Sequence, residues 1–523
     1  MTRKRALLSV YRKDGIADLA KGLASRGFDL VSTGGTADAL RKAGLTVLAV
    51  SDVTGFPEIL DGRVKTLHPK IHGGLLARRD VPGHLKALAD QGIPLVDLVV
   101  VNLYPFEDKV AKGASFAEAV ENIDIGGPTM VRAAAKNFDQ VAVVVDPVDY
   151  PLILEQIDRQ GGIDSATRLY LAQKAFRHTA RYEAAIAGYF SQVEVAEDGY
   201  AVAESDSFFP YRLALSFEKV QDLRYGENPH QKAAFYSDLG STLYSVAAAR
   251  QLQGKELSFN NILDLDAAWR IATELHDPAC VIVKHNNPCG AALGDGLAQA
   301  WERAWACDET SAFGSIVAFN RKVDGEAAEK VAEKFVEAVI APGFTAEARK
   351  ALAPKKNLRV MDMETTGIHR ISGFDMKRVM GGLLAQEWDL QGFDRERCEV
   401  RSQRAPSENE WKAMAFAWTI VKHVKSNAII FANDVQTVGV GAGQMSRVDS
   451  SRFAALKAQL PLEGTVVASD AYFPFRDGVD EIAKAGATAV IEPGGSIRDE
   501  EVIAAADEHG LALVFTGLRH FKH

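Results

Sequence analysis

In the first part of the chain, short apolar runs alternate with stretches of helical period. Ala6–Val10, Asp29–Ser32, Thr46–Val50, Val96–Val101 and Val141–Val145 read as strands. Ile16–Ser25, Ala37–Ala43, His84–Gln91 and Phe116–Glu121 read as helices. This alternation predicts βαβ units and a mainly parallel sheet in an α/β fold. Val141–Val145 is apolar throughout, and Val96–Val101 is apolar but for Asp97, as expected of strands covered on both faces. Residues 163–191 are Ala-rich with a helical pattern that could close the domain, and the pattern breaks over 193–210. The break predicts a boundary, with one domain over 1–195 and another over 196–523. In the second part Val281–Val283 reads as a strand, followed by a polar loop and a helix over Leu297–Cys307. Ala428–Ala432, Thr437–Gly441, Gly464–Ala468, Thr488–Ile491 and Leu511–Phe515 are again strand-like. A region of this length predicts two subdomains.

Composition narrows the function. Hydrophobic residues make up 47% and charged residues 25%, a globular balance, and the net charge of −9 argues against a nucleic-acid surface. The apolar run after Met1-Thr2-Arg3-Lys4-Arg5 stops at Tyr11-Arg12-Lys13-Asp14, too short for a signal peptide, and no apolar run is long enough to span a membrane. The 4 cysteines, Cys280, Cys289, Cys307 and Cys398, form no C-x-x-C pair. Neither a disulfide framework nor a zinc site is expected, and a cytoplasmic setting is.

Candidate chemistry gathers in loops. Thr33-Gly34-Gly35-Thr36 joins a strand to a helix, either as a phosphate cradle of backbone N–H groups or as a plain turn with Thr36 as cap. In Arg63-Val64-Lys65-Thr66-Leu67-His68-Pro69 the two cations share a side if the stretch is extended, Thr66 adds a hydroxyl, and His68 and His72 could lie nearby. The other reading is a solvated basic loop. Asn102-Leu103-Tyr104-Pro105-Phe106 follows a strand, at the carboxyl end where parallel sheets bind ligands. Asp124-Ile125-Gly126-Gly127 opens a helix carrying Arg132 and Lys136, and offers N–H donors for an oxyanion. Asp124 meets Lys136 only if a turn brings them together. In the second part Lys284-His285-Asn286-Asn287-Pro288-Cys289-Gly290 pairs a proton carrier with a cation, between a strand and a helix. Its Pro-Cys turn is akin to that of zinc deaminases, but the second cysteine is missing.

The ordered motifs identify the chain as similar to a family, the bifunctional purine biosynthesis proteins that join AICAR transformylase to IMP cyclohydrolase. The resemblance runs from Ala6 to His523. It is carried by Ser-Thr-Gly-Gly-Thr from Ser32, the Arg63 and Asn102 motifs, Asp-Ile-Gly-Gly from Asp124, Leu-Arg-Tyr-Gly-Glu-Asn-Pro-His-Gln from Leu223, the Lys284 motif, Gly-Ala-Gly-Gln-Met-Ser-Arg from Gly441 and Tyr-Phe-Pro-Phe-Arg-Asp from Tyr472. It implies an N-terminal methylglyoxal-synthase-like parallel-sheet domain and a C-terminal transformylase region of two cytidine-deaminase-like subdomains. It implies formyl transfer from 10-formyltetrahydrofolate to the 5-amino group of AICAR, then closure of formyl-AICAR to IMP with loss of water. It further implies a homodimer with no tightly bound cofactor, no metal, and no nucleic-acid or membrane partner.

Residue by residue, the resemblance assigns Lys65, Tyr104, Asp124 and Lys136 to proton handling in ring closure. Lys13, Thr33, Gly34, Gly35, Thr36, Arg63, Thr66 and Asn102 would bind the nucleotide, and the Ile125 and Gly126 N–H groups the oxyanion. Lys284, His285 and Asn427 would carry formyl transfer. Arg224, Tyr225, Gly314, Glu337, Arg447, Tyr472 and Arg519 match AICAR-binding positions, and Val448, Asp477 and Ser496 folate-contacting ones. The chain departs from its relatives at Tyr11-Arg12-Lys13 (commonly Ser-Asp-Lys), at Gly314-Ser315 (Gly-Gly) and at Glu337 (Asp). An effector-sensing N-terminal domain would need the cradle but not Tyr104, Asp124 and Lys136, which sets the enzyme apart from a sensor.

Overall fold

The computed structural model describes residues 3–196, 199–203, 208–238, 245–363 and 373–523, so 197–198 and 204–207 of the pattern break lie outside the described residues. The chain divides into two compact units, one ending at Ser216 and the other running from Phe217 to His523.

The first unit is built on a five-stranded sheet, β1 (Arg5–Val10), β2 (Asp29–Ser32), β3 (Leu48–Ala49), β4 (Leu98–Asn102) and β5 (Ala142–Val144), in the order β3-β2-β1-β4-β5. Every pairing is parallel. Both faces are covered, one by a core around Val99, Met130 and Tyr182, the other by a core around Leu8, Leu19 and Ile153. That explains the uninterrupted Val runs, because a strand buried on both faces has no polar side. The long helix is Ser165–Phe190, capped by Asp164, whose side chain accepts from the Thr167 N–H. The expected strand Thr46–Val50 shortens to Leu48–Ala49 because Val50 begins a helix that runs to Thr54.

The second unit holds two six-stranded sheets of mixed pairing. The first comprises β6 (Arg250–Gln253), β7 (Ala279–Lys284), β8 (Asn287–Leu293), β9 (Ile316–Phe319), β10 (Ala338–Ala341) and β11 (Arg359–Asp362), ordered β6-β11-β10-β9-β7-β8. The other comprises β12 (Glu399–Val400), β13 (Ile429–Ala432), β14 (Thr437–Gly441), β15 (Val466–Ser469), β16 (Ala489–Glu492) and β17 (Ala512–Phe515), ordered β12-β17-β16-β15-β13-β14. The pairing senses repeat as well. In each sheet the second, third and fourth strands of the order are mutually parallel and the remaining neighbours antiparallel. One core, containing Trp269, Met414 and Trp418, is shared by both sheets. The polar loop expected after Val283 is instead β8, which folds back on β7 as a hairpin. Pro288, Gly290 and Ala292 are buried and alternate with half-buried Asn287 and Cys289 until Ala291, where both faces are covered, although proline and glycine read locally as breakers. Among the described residues no helix is long and apolar enough to cross a membrane.

The last residue of β16 makes a pH prediction. Glu492 is fully buried, its Oε2 accepts the Phe473 N–H at 2.7 Å, and its Oε1 has no hydrogen-bond partner among the described residues. Burial pushes this carboxyl from 4.5 up to about 8. Between those values the native state keeps a proton that the unfolded chain has released, so stability is lost as pH rises through that window. Glu492→Gln, which cannot ionise, should melt close to the parent at pH 5 and several degrees above it at pH 8.5. Equal melting shifts at both pH values would show that Glu492 does not titrate this way.

Candidate functional sites

In the first unit the loops at the carboxyl ends of β1, β2 and β4 surround a cleft of about 830 Å³. Lys13, Thr33–Thr36, Arg63, Lys65, Thr66, Asn102, Tyr104 and Asp124–Gly126 all line it. The β2 turn enters the helix Gly34–Lys42 with Thr33 at the cap position. Thr36 is therefore not the cap. Its buried hydroxyl accepts the Val10 N–H at 3.1 Å, donates to the Val10 carbonyl at 2.9 Å and accepts from Lys13 Nζ at 3.0 Å. Lys13 is held by the end of β1, and burial lowers its pKa. Asn102 is likewise spent on structure. Its Oδ1 accepts the N–H groups of Tyr11 and Arg12 at 2.6 and 3.0 Å, and its Nδ2 donates to the Arg12 carbonyl at 3.1 Å. Tyr11 then meets Tyr104 edge to face, with centroids 5.6 Å apart.

The expectation that Arg63 and Lys65 lie on one extended stretch is corrected by the backbone. Arg63 closes a 3-10 turn over Leu60–Gly62 with helical φ and ψ, so the two side chains diverge to different carboxylates. Arg63 forks onto Glu121 (Nη2–Oε2 2.8 Å), and Lys65 pairs with Glu58 at 2.8 Å. Gly62 sits at φ +91°, a backbone conformation that favours glycine. His68 accepts the Lys70 N–H at its Nδ1 and so caps the helix Pro69–Leu76, and neither His68 nor His72 lines the cleft.

Asp124 sits just before the helix Gly126–Lys136. Its N–H donates to the Tyr182 hydroxyl at 2.8 Å, and its Oδ1 accepts the Gly127 N–H at 2.8 Å. Burial raises its pKa, with the Gly127 and Tyr104 backbone N–H groups acting the other way. The first N–H groups of a helix lack intrahelical acceptors, and those of this helix border the cleft together with Thr66. Lys136 is the exception among the expected residues. It is exposed at the far end of the same helix, and the stretch from Gly126 is uninterrupted. Ten residues of helical rise, ~15 Å, separate it from the Gly126 end, so no turn brings it to Asp124.

In the second unit the β7–β8 hairpin borders a cavity of about 290 Å³, lined by Lys284, His285, Asn287–Cys289, Asp308, Ser311, Val440–Ala442, Gln444, Phe453 and Lys457. Lys284 Nζ donates to the Phe313 carbonyl at 2.6 Å, and His285 is exposed at the turn. Asn287 Oδ1 accepts the Lys425 N–H at 2.9 Å, which ties the hairpin to the segment entering β13. Asn427 lies one layer behind the cavity. Its Nδ2 donates to the carbonyl of Gln444 at 2.9 Å, and its Oδ1 accepts from Arg447 Nη2 at 2.8 Å. Arg447 is itself buried against Ser469 and Asp470, so its guanidinium is engaged within the protein. Burial pushes the Cys289 thiol well up, which leaves it a neutral wall of the cavity.

The remaining expected residues lie outside this cavity. Arg224 stacks over Tyr225 at 5.7 Å and Arg519 over Phe521 at 4.4 Å. Gly314, at φ +71°, donates its N–H to the Phe335 carbonyl, and Glu337 pairs with Arg359 at 2.6 Å. Val448 is half-buried in the first turn of Arg447–Lys457, and Tyr472 is half-exposed. Asp477 begins the helix Asp477–Lys484, and Ser496 donates its N–H to Asp499 at 2.9 Å. Reading the motifs missed Glu121 at the cleft, Glu58 and Tyr182 as the partners of Lys65 and Asp124, and Asp308 and Lys457, an ion pair at 3.1 Å, at the cavity. Each of these supplies the partner of a motif residue or a wall of the cavity, from a segment with no local signal.

The family model described as AICARFT/IMPCHase bienzyme matches residues 134–457, more than half of the chain. The chain belongs to the AICARFT/IMPCHase bienzyme family. A model described as MGS-like domain matches residues 15–129, which span most of the parallel sheet. A solved structure titled "Crystal structure of ForH" is 39% identical over 36% of this chain and 98% of its own, with a TM-score of 0.32. As a member of the bienzyme family, the protein is a bifunctional enzyme of purine biosynthesis, an AICAR formyltransferase and IMP cyclohydrolase that uses formyl-folate as co-substrate.

Proposed function

We propose that the two activities occupy separate sites, ring closure in the cleft of residues 1–195 and formyl transfer around the Lys284–His285 turn within 196–523. The observation that carries this reading is that the Lys284 motif borders a cavity in one unit and the Lys65 and Asp124 motifs border a cleft in the other.

For formyl transfer, the 5-amino nitrogen of AICAR attacks the formyl carbon of 10-formyltetrahydrofolate. His285 takes the amine proton through the neighbouring carboxamide, and Lys284 stabilises the oxyanion or protonates the departing N10. Asn427, fixed by Arg447, orients the carboxamide. Arg224, Tyr225, Gly314, Glu337, Tyr472 and Arg519 hold AICAR, and Val448, Asp477 and Ser496 hold the folate.

For ring closure, the carboxamide nitrogen attacks the formamide carbon of the same molecule, so orientation supplies much of the rate. Arg63, Thr66 and the Thr33–Thr36 turn bind the nucleotide, with Lys13 and Asn102 shaping the loop beside it. The Ile125 and Gly126 N–H groups take the oxyanion. Lys65, Tyr104 and Asp124 move the protons that leave as water. A carboxyl with a raised pKa is suited to alternate between acid and base. Glu121, now paired with Arg63, gives way to the phosphate.

The enzyme is read as a cytoplasmic homodimer with no tightly bound cofactor, metal, nucleic acid or membrane partner. Purified protein given AICAR and 10-formyltetrahydrofolate should form IMP and tetrahydrofolate in equal amounts. Release of tetrahydrofolate with accumulation of formyl-AICAR would remove the cyclohydrolase reading.

A further inference from the structure

The loop that carries His285 has an unusual backbone. Lys284 pairs with Asn287 across the β7–β8 hairpin, so His285 and Asn286 are its two loop residues. Both are left-handed, with φ of 53° and 64°. Two consecutive left-handed residues form the type I′ hairpin turn, which favours Asn-Gly, and neither position here is glycine. Histidine and asparagine enter the left-handed region more readily than most side chains, but two in succession still cost free energy that their surroundings must offset.

Asp264 imposes it. Its Oδ2 accepts the His285 N–H at 3.2 Å, and its Oδ1 accepts the Asn286 N–H at 2.6 Å. One carboxylate thus takes both loop donors, which a tight turn otherwise leaves to solvent. The platform is rigid. Asp264 lies within the helix Phe259–Glu274, closed by a capping box between Ser258 and Asn261, with Leu265 and Ala268 fully buried beside it. Asn287 braces the other side by donating its Nδ2 to the His285 carbonyl at 3.2 Å.

We propose that Asp264 is a positioning residue for formyl transfer, holding the left-handed His285–Asn286 turn so that the imidazole faces the cavity. The inference rests on the reading of His285 as the proton carrier. Without the carboxylate the turn relaxes, and the imidazole leaves the line of proton transfer while the surfaces that bind AICAR stay in place.

The test is kinetic and uses the full-length enzyme. Asp264→Ala should lower kcat for formyl transfer about 10- to 100-fold, with KM for AICAR changed less than about threefold, because a small misplacement of a reacting group costs on the order of 100-fold. Cyclisation of supplied formyl-AICAR should not change. Adding Asn286→Gly to that variant should restore most of the lost kcat, because glycine adopts the left-handed turn unaided. If Asp264→Ala does not fold, Asp264→Asn replaces it, since its amide faces one of the two donors with another donor. Unchanged kcat, or a loss that Asn286→Gly leaves in place, would overturn the proposal. Full transfer by His285→Ala would instead overturn the reading of the histidine, whatever the Asp264 variants do.

Discussion

His285→Ala should lower formyl transfer by about 1000-fold, within the range a positioned general base contributes, and leave ring closure of supplied formyl-AICAR within about twofold of the parent. The substitution removes an exposed ring and leaves alanine at φ 53°, in a turn whose backbone is held by Asp264, so the melting temperature of the variant is compared with that of the parent. The acceptor amine is a weak nucleophile because its lone pair is delocalised into the imidazole. Loss of the group that takes its proton therefore falls on the chemical step rather than on binding. Separate assays, AICAR plus formyl-folate for one and formyl-AICAR alone for the other, check the result. Loss of both activities in a variant that melts like the parent would contradict two independent sites.

Lys65→Ala is the converse. Cyclisation should fall by about 100-fold or more, with formyl transfer retained. Lys65 stands over the β2 turn, its Nζ 3.6 Å from where a Gly34 Cβ would lie, and its only ion-pair partner among the described residues is Glu58. A partly exposed pair of this kind contributes about 0–1 kcal/mol to stability, so a large rate loss without a matching fall in melting temperature assigns the lysine to chemistry. Normal cyclisation in this variant would take Lys65 out of the mechanism.

Much of the first unit was legible because parallel strands buried on both faces produce unmixed apolar runs. Asp29–Ser32, Ile16–Ser25 and Phe116–Glu121 fall at their expected bounds. Besides β8, four strands of the sheet built on β6–β11, Arg250–Gln253, Ile316–Phe319, Ala338–Ala341 and Arg359–Asp362, were not anticipated. A run that short is told from a buried helical segment only where its flanking residues mark it. The motif loops gave the residues that line the cleft, but not what those residues do there. Asn102 and Thr36 have side chains equally suited to a ligand or to a backbone, and the backbone takes them. The place of Lys136 was illegible for a different reason. Its helix runs uninterrupted from Gly126 and sets it at the end far from Asp124, a fact of continuity that residue types cannot report. Asp264 and Glu121 act across long sequence separations, and neither they nor Glu58 carry a pattern.

The repeated sheets of the second unit meet at their hairpins. Ala292 bridges Gln436, the Leu293 N–H donates to the Val435 carbonyl at 2.7 Å, and the Thr437 hydroxyl accepts the Ala291 N–H at 2.9 Å. β8 and β14 each end the order of their sheet, so this contact shields two edges that would otherwise recruit foreign strands. Neither repeat can be severed from its twin without baring a sticky border and splitting their common core.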